Sequence, residues 1–249
     1  MGKSLFAESG SSGSKTGADG AIHGLSHPTA LTKLVRTAAP VMFITFEGSE
    51  GSGKTSHIIP LAEFLRDRGY PVLTTREPGG TPIGDRVRTI LLDLKHTEMH
   101  PRTEVLLLQA SRAQLVEQVI RPHLLAGEVV LCDRYADSSL AYQGYGYGND
   151  PELIRPLVDF AINGLKPDLT LLLDVDVQEG LRRKISEGEW NRLDSYTIDF
   201  YQRVRQGYLY LAQAEPERWV LIDANKPLEQ VQQTIRTVVM ERLQRTHET

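Results

Sequence analysis

Cysteine is almost absent: the 249 residues hold one, Cys132, so no internal disulfide framework is available and the fold rests on its hydrophobic core. Long apolar runs are missing as well, and no stretch approaches the roughly 18 apolar residues that a membrane-spanning helix needs. Nor is there an excess of positive charge, because 28 Lys and Arg stand against 32 Asp and Glu, a formal charge of -4. Such a chain offers no global basic surface to hold nucleic acid by counterion release. The seven histidines show no metal-ligand spacing, and neither a Ser-His-Asp nor a Cys-His constellation is present. No internal repeat is visible. These absences set aside disulfide-stapled, membrane-embedded and polymer-binding classes, and they point to a cytoplasmic protein. What is there, 40% hydrophobic and 24% charged residues, is ample for one large core.

Residues 1–40 differ from the rest. Gly10-Ser11-Ser12-Gly13-Ser14 and Gly17-Ala18-Asp19-Gly20 have neither helical nor strand periodicity, so the segment is expected to be a flexible N-terminal extension ahead of a domain over 41–249. From Val41 onward, short apolar runs alternate with longer helical patterns. Strands are expected near 41–46, 71–75, 128–132, 169–173 and 219–222. Helices are expected near 54–68, 81–92, 102–125, 151–163, 199–213 and 228–243. Nearly charge-free strands separated by helices predict an α/β fold, a parallel sheet of five strands with helices on both faces.

Between the first strand and first helix lies Gly48-Ser49-Glu50-Gly51-Ser52-Gly53-Lys54-Thr55, which fits the Walker A pattern. The placement matters as much as the pattern, because successive backbone N–H groups and a helix N-terminus then converge on phosphates. Lys54 adds positive charge for the β- and γ-phosphates of ATP, and the Thr55 hydroxyl can ligate Mg²⁺. A similar run at Gly10 to Thr16 lacks the glycine before lysine and any preceding strand, and is set aside. Val129-Val130-Leu131-Cys132-Asp133 is an apolar strand ending in an acid, which in a P-loop fold is where an aspartate holds Mg²⁺ or its water. Asp174 ends the next strand in the same way.

Further motifs follow in order: Phe46-Glu47-Gly48, Thr75-Arg76-Glu77-Pro78-Gly79-Gly80-Thr81, Asp133-Arg134-Tyr135 with Ser138-Ser139-Leu140-Ala141-Tyr142-Gln143-Gly144, Pro167-Asp168 through Asp174-Val175, and Ile222-Asp223-Ala224. Together they resemble thymidylate kinases over nearly all of residues 41–243. The resemblance implies a P-loop nucleoside monophosphate kinase fold, Mg²⁺ with ATP as donor, dTMP as acceptor with dTDP as product, and a homodimer; for the dimer interface we expect the helix over 103–125. It also implies roles. Arg76 and Arg134 would clamp the dTMP phosphate; Arg112 would donate to a thymine carbonyl; Ser139 and Gln143 would lie beside the base; Tyr142 would pack by the sugar and exclude a ribose 2′-hydroxyl. Glu50 matches an acid used near the acceptor sugar or, through water, the phosphates. Leu108 replaces the phenylalanine on which the family usually stacks thymine, a loss of about 0.5–1.5 kcal/mol of aromatic contact.

Phosphoryl transfer gathers negative charge on equatorial oxygens, so a mobile cation beyond the P-loop lysine is expected. Ser49, Glu50 and Ser52 leave no arginine in the P-loop, so the chain resembles the type that carries it in a lid, here about 181–194. Ile185 and Glu187 stand where basic residues are often found, leaving Arg183 and Arg192 as candidates with Lys184 a third. The nearest rival readings are a kinase for another nucleoside monophosphate or for a deoxynucleoside. A hydroxyl acceptor would need a general base, and Glu47 is then the candidate. A guanine-reading Asn-Lys-x-Asp element is absent, which disfavours a nucleotide switch.

Overall fold

The computed structural model describes residues 41–187 and 191–247. The extension expected over 1–40 and lid positions 188–190 lie outside the described residues. The strands are β1 (Met42–Glu47), β2 (Val72–Arg76), β3 (Val129–Asp133), β4 (Leu169–Asp174) and β5 (Trp219–Asp223). They form one sheet in the order β2-β3-β1-β4-β5, with every neighbouring pair parallel. β1 is buried at all six positions, and β3 and β4 are buried except for their terminal acids. That is the burial expected of central parallel strands covered on both faces. The edge strands β2 and β5 are partly exposed.

Alternation along β1 divides the core in two. Phe43 joins Val130, Cys132, Leu172, Tyr201 and Val204 on one face, while Met42, Ile44 and Phe46 join Ile58, Leu61, Leu171 and Ile235 on the other. Helices cover both faces: α1 (Lys54–Arg66), α2 (Pro82–Leu92), α3 (Pro101–Leu115), α4 (Arg121–Leu125), α5 (Ala136–Ser139), α6 (Arg155–Ile162), α7 (Val177–Glu187), α8 (Ile198–Ala214) and α9 (Leu228–His247). α2 starts where its chemistry says it should, with Thr81 accepting from Gly84 N–H as N-cap and Pro82 in the first position. No helix among the described residues is long and apolar enough to cross a membrane.

Two features depart from the sequence reading. The single helix expected over 102–125 is interrupted by a π-helical stretch, Val116–Ile120, between α3 and α4. Pro122 explains it, because it donates no N–H and its ring crowds the carbonyl four residues back, so the wider turn relieves the clash. The motif after Asp133-Arg134-Tyr135 is also helical, α5 continuing as a π-helical run, Leu140–Gly146. Its Ser, Tyr and Gly content gives little intrinsic helix preference. Packing against α8 supplies the difference, and two glycines permit it. A Cβ on Gly146 would lie 2.7 Å from the Phe200 ring, and one on Gly207 would lie 2.6 Å from the Tyr145 ring.

An alanine at an ordinary helical glycine gains about 1 kcal/mol. At Gly207 it should instead cost about 1–3 kcal/mol, because the Tyr145 ring has to move. Urea unfolding of Gly207→Ala is expected to give a lower midpoint than wild type at an unchanged slope.

Candidate functional site

The parallel register of β1 and β3 sets Phe46 beside Asp133, so the two loops that leave these strands emerge together at the carboxyl edge of the sheet. The first is the P-loop. It lies so close to its surroundings that a Cβ on Gly51 would sit 1.9 Å from the Gly180 carbonyl oxygen, and one on Gly48 2.5 Å from the Leu173 oxygen. Both glycines also have positive φ, 144° and 68° for Gly48 and Gly51. Lys54 Nζ donates at 3.0 Å to Gly48 O, to Ser49 O and to Ser52 Oγ. Burial, followed by the nearby Arg134 guanidinium, pulls its ammonium down to about 8. Thr55 Oγ1 donates to Asp133 Oδ2 at 2.8 Å, so a hydroxyl and a carboxylate 78 residues apart in sequence share one spot.

The second loop turns at Arg134, which adopts φ 66°, a left-handed conformation unusual for a side-chain-bearing residue. Three contacts hold the turn: Arg134 N donates to Phe46 O, Tyr135 N donates to Glu47 Oε1 at 2.8 Å, and Cys132 Sγ donates to Arg134 O. The turn aims the guanidinium across the cavity. Its Nη2 donates to Glu50 Oε1 at 2.6 Å and to Tyr142 OH at 3.0 Å, and its Nη1 donates to Gly48 O at 3.1 Å. Burial pushes the Glu50 carboxyl up, but Arg134, Lys54 and the Tyr142 hydroxyl outweigh it and leave the group below its ordinary range. Glu47 is fully buried, with Ser138 Oγ and Tyr208 OH donating to its second oxygen at 2.6 and 2.8 Å. Burial, reinforced by Asp137, raises its carboxyl to about 7.

Glu50, Lys54, Thr55, Asp133, Arg134 and Tyr142 line one cavity of about 580 Å³ that runs from the P-loop to β2, α2 and α3. On its far side Arg76 ends β2, half exposed, with Nη2 3.3 Å from Asp85. Arg112 is 2% exposed, and all five of its N–H donors have protein acceptors. Nε and Nη2 go to Glu77 Oε2 at 2.8 and 2.6 Å, Nη1 to Gln109 Oε1 and Ser139 Oγ, and Nη2 also to Tyr135 O. Leu108, Ser139, Tyr142 and Gln143 complete this wall.

A P-loop facing an arginine-rich second wall across one cavity is the architecture of a kinase for a phosphorylated acceptor, and comparison with known proteins decides which one. A family model described as thymidylate kinase matches residues 46–235. The chain belongs to the thymidylate kinase family. Curated thymidylate kinases agree: that of Roseiflexus sp. (strain RS-1) is 50% identical over 210 residues, covering 80% of this chain and 93% of the relative. That of Deinococcus radiodurans is 50% identical over 201 residues, covering 81% and 97%. Among solved structures, thymidylate kinase from Ehrlichia chaffeensis superposes with a TM-score of 0.65 at 36% identity, covering 80% of this chain and 98% of that one.

In this member of the family the lid candidates separate. Lys184, Asn191 and Leu193 line the main cavity. Arg183 lines a second cavity of about 540 Å³, behind the P-loop, with Ala224, Asn225 and Lys226. Its Nε donates to Glu179 Oε1 at 2.8 Å and its Nη1 to Ala224 O at 3.0 Å. Arg192 sits elsewhere, with Nε donating to Leu91 O and Nη2 to Glu104 Oε2. Asp174 is held by Arg205 through two bonds of 2.6 and 2.8 Å and does not line the main cavity. Its position at a strand end therefore reflects an ion pair with α8 rather than a partner for Thr55.

Sequence reasoning missed two contributors. Arg88 on α2 lines the cavity with Nη1 on Pro78 O at 3.1 Å, and Glu104 on α3 gathers four donors behind the wall. Arg88 had a signal: the capped start at Thr81 fixes Asp85 and Arg88 one turn apart on the face of α2 that looks back at Arg76. Glu104 had none, since its partners lie 39 to 92 residues away.

The raised Glu47 carboxyl makes a sign-definite prediction. The folded protein holds that proton up to about pH 7, whereas the unfolded chain releases it near 4.5. Its contribution to stability is therefore present below pH 4.5 and is lost as pH rises to 7, by up to about 3 kcal/mol. Stability of Glu47→Gln, followed by urea unfolding at pH 5 and pH 8, is expected to fall less between the two than that of wild type.

Proposed function

We propose that the chain transfers the γ-phosphoryl group of Mg²⁺-bound ATP to dTMP, giving dTDP. The observation that carries this reading is the single cavity in which Lys54, Thr55 and Asp133 face Arg134 and Arg76. On this reading the P-loop amides of residues 48–55 and Lys54 hold the β- and γ-phosphates, displacing the three oxygens that Lys54 now contacts. Thr55 and Asp133 offer one hydroxyl and one carboxylate, hard oxygens that suit Mg²⁺, an ion that takes few protein ligands beside phosphate and water. When bound, Mg²⁺ supplies charge neutralisation across the phosphates. The second cavity, bounded by Arg183 and residues 224–228, takes the base end of ATP.

The acceptor phosphate lies between Arg76 and Arg134, with Arg88 adding a third positive charge nearby. Two polyanions repel, and these cations are what make their approach tolerable. Tyr142 and Glu50 flank the sugar. Leu108 covers the base face, and Ser139 and Gln143 lie at its edge. Arg112 has no uncommitted N–H, so a base carbonyl shares one of its donors or takes the hydroxyl hydrogen of Ser139, whose lone pairs already accept from Gln109 and Arg112. A phosphate acceptor needs no proton removed, so alignment and charge stabilisation suffice. Glu47 disfavours the rival hydroxyl acceptor: its carboxylate is wholly buried and already bound by Tyr135, Ser138 and Tyr208. Arg183 and Lys184 supply the lid's positive charge. We place the reaction in the cytoplasm, and we assign a homodimer built on α3 and α6, where Leu106 and Phe160 are 56% and 86% exposed.

A coupled ATP assay across dTMP, dUMP, CMP and thymidine tests the acceptor; equal turnover of CMP would reject the assignment. Lys54→Met should lower kcat about 10²–10³-fold. The depressed Lys54 ammonium adds a pH signature. Above pH 8 the free protein has lost that proton, and bound polyphosphate favours regaining it, so ATP affinity falls as pH rises from 7.5 to 9.5 with proton uptake on binding. Titration calorimetry in two buffers of different ionisation enthalpy should show that uptake in wild type and not in Lys54→Arg.

A further inference from the structure

Glu104 and Arg192 form a polar cluster outside the phosphate machinery that the reaction does not use. Glu104 lies on the first turn of α3, and its side chain is 1% exposed. A carboxylate removed from water is costly unless every lone pair is satisfied. Here four donors reach it. Gln143 Nε2 and Tyr147 OH donate to Oε1 at 2.9 and 3.0 Å, while Arg192 Nη2 and Tyr196 OH, the latter at 3.3 Å, donate to Oε2. The Tyr147 and Tyr196 hydroxyls also touch one another, and with two hydrogens for three contacts the pair makes two of these bonds at a time. Arg192 carries the link onward, its Nε donating at 2.8 Å to Leu91 O in the last turn of α2.

The cluster therefore ties together four pieces of chain: the end of α2, the start of α3, the π-helical run, and the 3-10 turn Arg192–Ser195. Each of these places a side chain in the wall of the main cavity. Leu92 follows Leu91, Leu108 is one turn along α3 from Glu104, Gln143 is bonded to Glu104 directly, and Asn191 and Leu193 flank Arg192. All of these lie away from the P-loop, at the acceptor's base end. A carboxylate partner also sets the sense of the Gln143 amide, since only its NH₂ can face Glu104, and the amide oxygen is left for a ligand.

We propose that Glu104 and Arg192 are positioning residues that set acceptor affinity by fixing this wall, and that Arg192 is not the cation reaching the transferring phosphoryl group. This rests on the assignment of that end of the cavity to dTMP. Apolar and hydrogen-bonding walls held in one place act on the bound acceptor equally in ground and transition states, which raises affinity without changing the chemical step.

The test is a set of steady-state measurements on Arg192→Gln, Glu104→Gln and the double variant, with thermal melts recorded alongside. Loss of the tie should raise KM for dTMP about tenfold, with kcat within about threefold of wild type and KM for ATP unchanged. The double variant should be no worse than either single one, because both remove the same pair. A hundredfold loss of kcat with both KM values unchanged would overturn the proposal and make Arg192 a catalytic residue. Kinetics unchanged in all three variants would overturn it too. A rise in KM for ATP alone would instead reject the assignment of the cavity's two ends. Should these variants fail to fold, Tyr147→Phe removes one hydrogen bond to Glu104 and should give the same split at about two- to threefold; an unmoved KM for dTMP there counts against the proposal.

Discussion

The pairing of β1 with β3 is the constraint on which the site depends. Because Phe46 and Asp133 are neighbours across a parallel ladder, the P-loop and the Arg134 turn leave the sheet side by side and in the same direction. A parallel sheet with helical crossovers presents all its strand ends on one edge, and chemistry gathers where adjacent strands send their loops apart. Here β1 sends its loop under α1 and β3 sends its own towards α5. The hydroxyl at the start of α1 and the acid at the end of β3 meet without either side chain having to reach far. A one-residue slip in that ladder would turn the strand's apolar set to the wrong faces as well as parting Thr55 from Asp133.

Charge organisation follows from this closeness. Lys54 is buried and Arg134 partly so, and the Arg134 guanidinium holds the Lys54 ammonium down, yet acids balance both within the same cavity. Glu50 accepts from Arg134 Nη2 directly. Glu47 is bound through neutral donors and stays at the edge of ionisation. The result is a pocket whose positive groups are all engaged beforehand, Lys54 by loop carbonyls and a hydroxyl and Arg134 and Arg76 by acids, so an incoming phosphate exchanges contacts instead of creating them. Arg134 bears the conformational cost of this arrangement in its left-handed backbone, and the Glu47 contact to the next amide is what keeps it there.

Much of this was legible in the sequence, and the reason is locality. The strands of β1, β3 and β4 read as apolar runs because both faces are covered, and the structure places them within a residue or so of expectation. The P-loop reads because its demands, glycines at close approaches and a lysine at a helix start, fall within eight consecutive positions. Asp133 reads because a strand end is a local event. What escaped depends on distant partners. Asp174 looks like Asp133 in sequence, and only the arrival of Arg205 from α8 tells them apart. Arg112 carries the motif position of a base-reading arginine, but its commitment to Glu77, Gln109, Ser139 and Tyr135 is a tertiary fact. The helix over 136–146 has weak intrinsic preference and exists because Gly146 on it and Gly207 on α8 each leave room for a ring of the other element.

Cys132 gives the molecule a reporter of its own. The sole thiol of the chain lies in β3 with no solvent exposure, its burial holding the sulfhydryl well above the usual range, and its hydrogen bond ends on the carbonyl of Arg134. A reagent that modifies thiols meets it only when the middle of the sheet opens. The rate of labelling therefore times the opening of the same strand that carries Asp133 and Arg134, with no foreign probe introduced. Ligands that hold the two loops together would register as a slowing of that clock.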